Sequence, residues 1–209
     1  MVSVTRKDYF LVAVIGFLFG LLLLPVLANL KLSFFNFNFG SVIAIVVACA
    51  IAAVVALWII ADPRITSKIP VLLQIAKFSA VGGLNTLLDL GVLNVLIFLA
   101  GSSTAHGLWY SIFKAISFIV ANTNSYFWNK YWTFGSTPSV NVREFSQFLT
   151  VSIVGFGINV AVASSIVNAV APLGGISPER WANVGALMAT IVALVWNFLG
   201  YKFIVFKRT

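Results

Sequence analysis

Six runs of about twenty apolar residues are what this chain has to accommodate. They lie at 9–29, 42–61, 76–99, 109–128, 147–170 and 183–204. A helix needs about 20 mostly apolar residues to cross the hydrocarbon core of a bilayer, and uninterrupted runs of that length read as helices rather than barrel strands. Composition agrees: 61% of residues are hydrophobic and 9% charged, against roughly 25% charged in a soluble domain. The expectation is an all-α, polytopic membrane protein with six transmembrane helices. Arg6, Lys7 and Val26-Leu27-Ala28 give the first run some likeness to a signal peptide. Its apolar stretch exceeds the typical core of about 7–15 residues and a second run follows closely, so it is read as a span. The lone Cys49 and the single histidine, His106, exclude a disulfide or a cysteine-based metal site within one chain.

The net charge of +8 would suggest nucleic acid in a soluble protein. Its distribution says otherwise. Arg6, Lys7, Arg64, Lys68, Lys77, Lys130, Arg143, Lys202, Lys207 and Arg208 fall on one side of the six-helix layout. Lys31 and Arg180 fall on the other, and Lys114 lies inside helix 4. The positive-inside rule then places both termini in the cytoplasm, and no nucleic acid is expected as a partner. The same asymmetry argues against a dual-topology exporter. Basic residues at that surface also attract anionic lipid headgroups.

ADPRITSKIP (61–70) separates a hairpin, 1–62, from the remainder. We divide the chain into that hairpin, a basic cytoplasmic linker at 63–76 and a four-helix region at 77–209. Gly16 and Gly20 form a GxxxG that suits a close helix contact. KLSFFNFNFG (31–40) alternates phenylalanine with polar residues, as an interfacial segment does. The four-helix region is a repeat, with units at 77–136 and 147–209. VGGLN (81–85) aligns with GFGIN (155–159), and SYFWNKYWTF (125–134) aligns with NFLGYKFIVF (197–206). Two helices return the chain to its starting side, so the units share orientation. Both closing phrases then mark where a helix leaves the membrane in an aromatic belt with a lysine at headgroup height.

Polar residues inside the apolar runs are the candidate functional set. Ionisable groups there are costly, and function is the default explanation for them. Asp89 lies about 15 Å from the outer end of helix 3, and Lys114 about 8 Å from that of helix 4. The hairpin makes these helices neighbours, which allows either a structural ion pair or a gate. Neither has a counterpart in the second unit, where Ala163 and Ala186 stand. Asn85, Asn122, Asn124, Asn129, Asn159 and Asn197 all fall in the cytoplasmic third. Unpaired amides in lipid are unfavourable, so they are expected to face one another or a wet cavity. Ringed by Lys77, Lys130, Arg143 and Lys202, they would suit a phosphate carrying a polyol.

KFSAVGGLNTLLD (77–89), NKYWTF (129–134), FGIN (156–159) and YKFIVF (201–206) resemble the GtrA-like family of small four-helix membrane proteins. The resemblance covers about 74–207. It implies handling of polyprenyl-phosphate-linked sugars and their movement from the cytoplasmic to the outer leaflet for cell-surface polysaccharide. It also implies a prokaryotic plasma membrane. A similar helical domain occurs fused to polyprenyl-phosphate glycosyltransferases.

The expected function is therefore flipping of a polyprenyl-phosphate sugar. Asn85, Asn129, Lys130, Arg143, Asn159 and Lys202 are the expected substrate contacts, Asp89 and Lys114 the gate, and Asn122, Asn124 and Asn197 a secondary polar cavity. The alternative is a non-transporting anchor or partner of a glycosyltransferase, which has no need of a polar interior. With no nucleophile–base arrangement and no acid cluster, the protein is expected not to be an enzyme and to need no metal or cofactor. No nucleotide-binding loop is present in the sequence to power transport. A homo-oligomer is expected, since one small bundle encloses few cavities.

Overall fold

The computed structural model describes residues 5–29, 39–60, 62, 70–101, 107–136, 139–170, 172 and 178–207. Among them are six long helices and no strand: α1 (Arg6–Asn29), α2 (Phe39–Ile60), α3 (Pro70–Ala100), α4 (Gly107–Trp128), α5 (Val142–Ala169) and α6 (Pro178–Gly200). The interfacial segment expected at 31–40, most of the 61–70 linker, Lys31, Arg64, Lys68, His106 and Arg208 lie outside the described residues or their described side chains.

Local chemistry sets the helix ends. Thr5 and Asp8 form a reciprocal cap on α1: Thr5 N donates to Asp8 Oδ2 at 2.9 Å, and Asp8 N donates to Thr5 Oγ1 at 3.3 Å. This satisfies backbone donors that the first turn otherwise leaves unpaired. α3 opens on Pro70, a residue suited to the first helical position because its missing N–H is not needed there. It therefore begins a turn and a half earlier than its apolar run. Gly101, at φ 94°, closes it in the left-handed conformation that glycine adopts readily. α5 likewise starts ahead of its apolar run, where the Asn141 side chain accepts from Arg143 N at 2.8 Å and Glu144 occupies the first turn.

α3, α5 and the stretch Val184–Val205 are each long and apolar enough to cross a membrane, and α2 contributes a shorter apolar segment, Ile43–Trp58. In α1, α2 and α3 the apolar residues are spread around the helix rather than gathered on one face, as suits helices with lipid on several sides. Large side chains such as Phe10, Trp58, Phe98 and Leu108 point outwards.

The two closing phrases share one backbone feature. α4 runs on into a π-helical turn at Asn129–Thr133, and α6 into another at Tyr201–Val205. The Phe206 N–H donating to Tyr201 O at 2.8 Å is the five-residue bond that defines such a turn. Each turn is followed by a buried phenylalanine, Phe134 or Phe206. The repeat in the sequence is thus a repeat of helix terminus as well as of composition.

Contacts group the chain into two compact units, residues 1–133 and 134–209. In the first, α1 packs along α2, α3 packs along α4, and α1 also lies against α3. Its core joins Val12 and Ile15 of α1, Leu57 of α2, Leu73, Val81 and Leu84 of α3, and Trp132 of the first π turn. Gly16 and Gly20 face α2, where a Cβ on Gly16 would sit 2.7 Å from the Cys49 carbonyl oxygen and one on Gly20 2.7 Å from Val46 Cα. The GxxxG is therefore occupied inside the hairpin. In the second unit α5 packs along α6 and its π turn. Tyr201 stacks on Phe148 at 4.3 Å, its hydroxyl lies 2.6 Å from Ser152 Oγ, and Phe206 stacks on Phe134.

Candidate functional site

α3 and α4 are antiparallel, as three contacts along their length record. Gln74 Nε2 donates to Thr133 O at 3.4 Å, Lys77 Nζ lies 5.3 Å from the Trp132 ring centre, and Lys114 is ion-paired with Asp89. The structure therefore brings Asp89 and Lys114 together, and adds a residue that sequence reasoning missed. Ser117, fully buried one turn beyond Lys114, places its Oγ 2.6 Å from Asp89 Oδ1. The i, i+3 spacing of Lys114 and Ser117 on one helix face was the available signal. The pair is asymmetric, with the Lys114 side chain 41% exposed and that of Asp89 20%. The carboxylate is the more enclosed partner, and the lysine can reach outwards along the helix.

The amides of the first unit lie from this pair towards the end carrying Lys77 and Lys130. The same antiparallel register sets Asn85 level with Asn122. Asn122 Nδ2 donates back to Phe118 O at 3.0 Å, and Asn129 Nδ2 to Ser125 O at 2.9 Å. The remaining ends are unsatisfied: Asn85 Oδ1, Asn124 Nδ2, Asn129 Oδ1 and Thr133 Oγ1 are buried without a hydrogen-bond partner. A buried polar atom of this kind loses its water without recovering a bond, at about 1–3 kcal/mol each. Four in one helix pair demand an explanation.

The second unit is sparser. Asn197 Oδ1 is also buried without a partner, and Gly155 leaves the space that the Asn197 side chain occupies. Asn159 is half-buried, and Arg143 is exposed at the start of α5. The lysines of the two closing phrases are placed alike. Lys130 lies 5.8 Å from the Tyr126 ring centre and 5.9 Å from that of Tyr131; Lys202 lies 5.5 Å from Phe198 and 5.7 Å from Phe203. Each ammonium thus sits among rings four residues before and one residue after it, within cation–π range. Lys130 is completely buried and Lys202 half-buried. Lys130 is thus a wall of the interior and not a surface charge.

Lys77, expected on the rim of the amide cluster, is engaged by a residue of the hairpin. Asp8 accepts from Lys77, from Trp132 Nε1 at 2.9 Å, and from Thr5 N and Oγ1. Burial by itself would raise the Asp8 pKa. The bonds from Lys77 and Thr5 outweigh it and hold the carboxyl at about 2. The N-terminus of α1 is thereby tied to the start of α3 and to the first π turn. Sequence reasoning did not single out Asp8, since nothing local in a sequence joins it to residues so distant.

Beside this tie, a groove of about 340 Å³ opens between α1 and the end of α4. Lys7 and Leu11 form one side. Asn124, Phe127 and Trp128 form the other, closed by Tyr131 and Trp132. Phe127 and Tyr131 lie nearly parallel, at 6.2 Å and 11°, while Trp128 and Trp132 meet edge to face at 5.8 Å. A cation, an amide and a ladder of rings are thus presented together at the basic end of an apolar bundle.

Chemically the arrangement suits an amphiphile. It offers exposed apolar flanks for a hydrocarbon, amides and rings for a polyol, and ammonium groups for an anion. Residues 77–206 match the family described as GtrA/DPMS, transmembrane domain. Across 132 residues, 63% of this chain and 78% of the relative, the sequence is 30% identical to the uncharacterized membrane protein YngA of Bacillus subtilis (strain 168). No solved structure matches the chain. The match spans α3 to α6 and both π turns, well over half the chain, and the protein is an integral membrane protein belonging to the GtrA/DPMS transmembrane-domain family.

Proposed function

We propose that the protein moves a polyprenyl-phosphate-linked sugar from the cytoplasmic to the outer leaflet, without catalysing a reaction on it. The observation that carries this reading is the set of buried, unpartnered polar atoms on Asn85, Asn124, Asn129 and Thr133. Helices that merely anchor a partner have no reason to bury amide ends without bonds, whereas sugar hydroxyls both donate to and accept from amides. Family membership supports the substrate class. The distribution of lysine and arginine supports a cytoplasmic location for both termini and for the basic end of the bundle. The reading includes six spans, with α1 and α4 crossing alongside the longer apolar helices.

In this scheme Lys130, Lys202 and Arg143 provide the positive potential that draws the phosphate. In the first unit Asn85 and Asn129 line a path for the sugar, which Asn122 and Asn124 extend. In the second unit Asn159 and Asn197 are the corresponding candidates. Asp89, with Lys114 and Ser117, forms the last polar barrier before the outer half of the membrane. Breaking and remaking one ion pair is a two-state event that a passing phosphate, itself an anion competing for Lys114, can drive. No nucleotide-binding loop occurs in the sequence, so net movement follows the gradient of the lipid or of an ion.

The test is protein in liposomes loaded with a polyprenyl phosphosugar, with outer-leaflet exposure read by a membrane-impermeant modifying enzyme. Wild type should accelerate exposure over empty liposomes and Asp89→Asn should slow it. Acceleration unchanged by Asp89→Asn would remove the gate from the scheme. No acceleration by folded protein would refute translocation and favour a glycosyltransferase anchor.

A further inference from the structure

The groove between α1 and α4 lies partly outside the family match, because Lys7 and Leu11 precede residue 77. We infer that this groove is where the headgroup of a lipid-borne sugar phosphate first docks, with Lys7 at the phosphate and Asn124 and the Phe127–Tyr131 rings at the sugar. The inference rests on the substrate class proposed above and adds a place and an N-terminal residue to it.

Three independent features converge there. The first is charge: Lys7 is exposed, and among the described residues it forms no salt bridge, whereas neighbouring Lys77 is occupied by Asp8. An ammonium at a membrane surface acts as a point charge for phosphate. The second is the amide: Asn124 lines the groove, and its Nδ2 has no hydrogen-bond partner. The third is shape and chemistry of the wall. Phe127 and Tyr131 are nearly parallel and each more than two-fifths exposed, so they present ring faces rather than serving as core. The apolar C–H face of a sugar ring packs on such surfaces while its hydroxyls bond at the edge. A plain interfacial belt needs rings and lysines but not a buried amide without a partner. Phe10, exposed one turn from Lys7, continues the apolar surface towards the lipid, where a prenyl tail would lie.

The groove also gives the hairpin a purpose. Asp8, adjacent to Lys7 in sequence, ties α1 to Lys77 and Trp132 and so fixes Lys7 at a set position opposite Asn124. Apolar packing of Val12 and Ile15 against α3 and Trp132 brings α1 to this place, and the Asp8 tie adds polar bonds beside Lys7.

The experiment is equilibrium binding of a ten-carbon prenyl phosphoglucose to the full chain in zwitterionic nanodiscs, read by tryptophan fluorescence. Lys7→Gln should weaken binding about ten-fold and Asn124→Ala about five-fold, as expected for one charged and one neutral hydrogen bond. Lys207→Gln, which removes the same charge from the exposed C-terminal segment, should change nothing. Glucose 1-phosphate should compete weakly and phosphatidylglycerol should not displace the probe, which separates a lipid-borne sugar phosphate from a free one and from any anionic headgroup. Equal losses for Lys7→Gln and Lys207→Gln, or displacement by phosphatidylglycerol, would reduce the groove to a general basic surface and overturn the inference. If the probe binds and flips but ignores Lys7→Gln and Asn124→Ala, the groove assignment fails while the transport reading stands. If wild type binds the probe with the expected variant losses yet does not flip it, the groove stands and translocation fails.

Discussion

Asp8 is the residue whose loss the structure makes most calculable. Its carboxyl titrates at about 2 in the folded protein against an ordinary 3.8. A difference of that size corresponds to about 2 kcal/mol of folding stability near neutral pH. Asp8→Ala also leaves Trp132 Nε1 without its acceptor and Lys77, only 12% exposed, without its counter-ion. An unpaired ammonium in that setting raises the total to about 2–4 kcal/mol. The measurement is unfolding of the full chain in mixed micelles of increasing denaturing-detergent fraction, for wild type, Asp8→Ala, Lys77→Met and the double variant. The double variant should lose much less than the sum of the singles, because removing both partners leaves no stranded charge. A coupling of about 1.5–3 kcal/mol is expected. Coupling below about 0.5 kcal/mol would refute the reasoning, since it would mean that solvent screens the pair and that α1 is held by apolar packing alone.

The pH dependence follows in sign from the same carboxyl. Because its pKa is lowered on folding, its contribution is fully present above about 3.8 and is lost as pH falls from there through about 2, a step that Asp8→Asn should lack in pH-dependent unfolding. Gly16→Val should destabilise the hairpin by at least about 2 kcal/mol, since its Cβ would meet Cys49 O and Ala50 Cα at 2.7 and 2.8 Å, and backbone cannot step aside as a side chain can. Unfolding of that variant in the same micelles measures it. Tyr201→Phe removes the 2.6 Å bond to Ser152 but keeps the Phe148 stack, so it should cost about 1 kcal/mol, with Ser152 still bonded to Phe148 O.

Much of the architecture could be read directly because the solvent imposes it. A bilayer of fixed thickness demands apolar runs of fixed length, and these stand out in any sequence that has them. Helix ends shifted from the ends of those runs where capping chemistry extends beyond the apolar residues, as at Pro70 and Asn141. The meeting of Asp89 and Lys114 was legible for a related reason: a hairpin of two adjacent helices leaves little freedom in which residues share a level. Ser117 was not singled out, because serine is common in such helices and only its placement beside a carboxylate distinguishes it.

The repeated phrase shows where the limit falls. Its aromatic residues and lysine announce a helix end by composition, and that composition fits a lysine at headgroup height equally well. The five-residue hydrogen bonding of the π turn sets the rotation of every side chain along it. Lys130 and Lys202 hold the same place among rings in the two turns, yet only Lys130 is completely buried, a difference that packing around the turn decides and no propensity scale shows. The amides divide in the same way: a sequence shows that they exist, and only packing shows which end of each lacks a bond.

By itself, then, the sequence determined the helical class, the repeat and the charge asymmetry, because each follows from local composition and the bilayer's own dimensions. Tertiary structure alone decided that Asp8 captures Lys77 and Trp132, and that Lys7 comes to face Asn124 across a groove. The Asp8–Lys77 bond joins residues 69 positions apart, Asp8–Trp132 and Lys7–Asn124 join residues more than a hundred apart, and all depend on how α1 packs against α3 and α4. Apolar helices in lipid have no hydrophobic pattern to dictate that packing. It is selected by close glycine contacts and a few buried polar bonds, whose partners become visible only once the chain is folded.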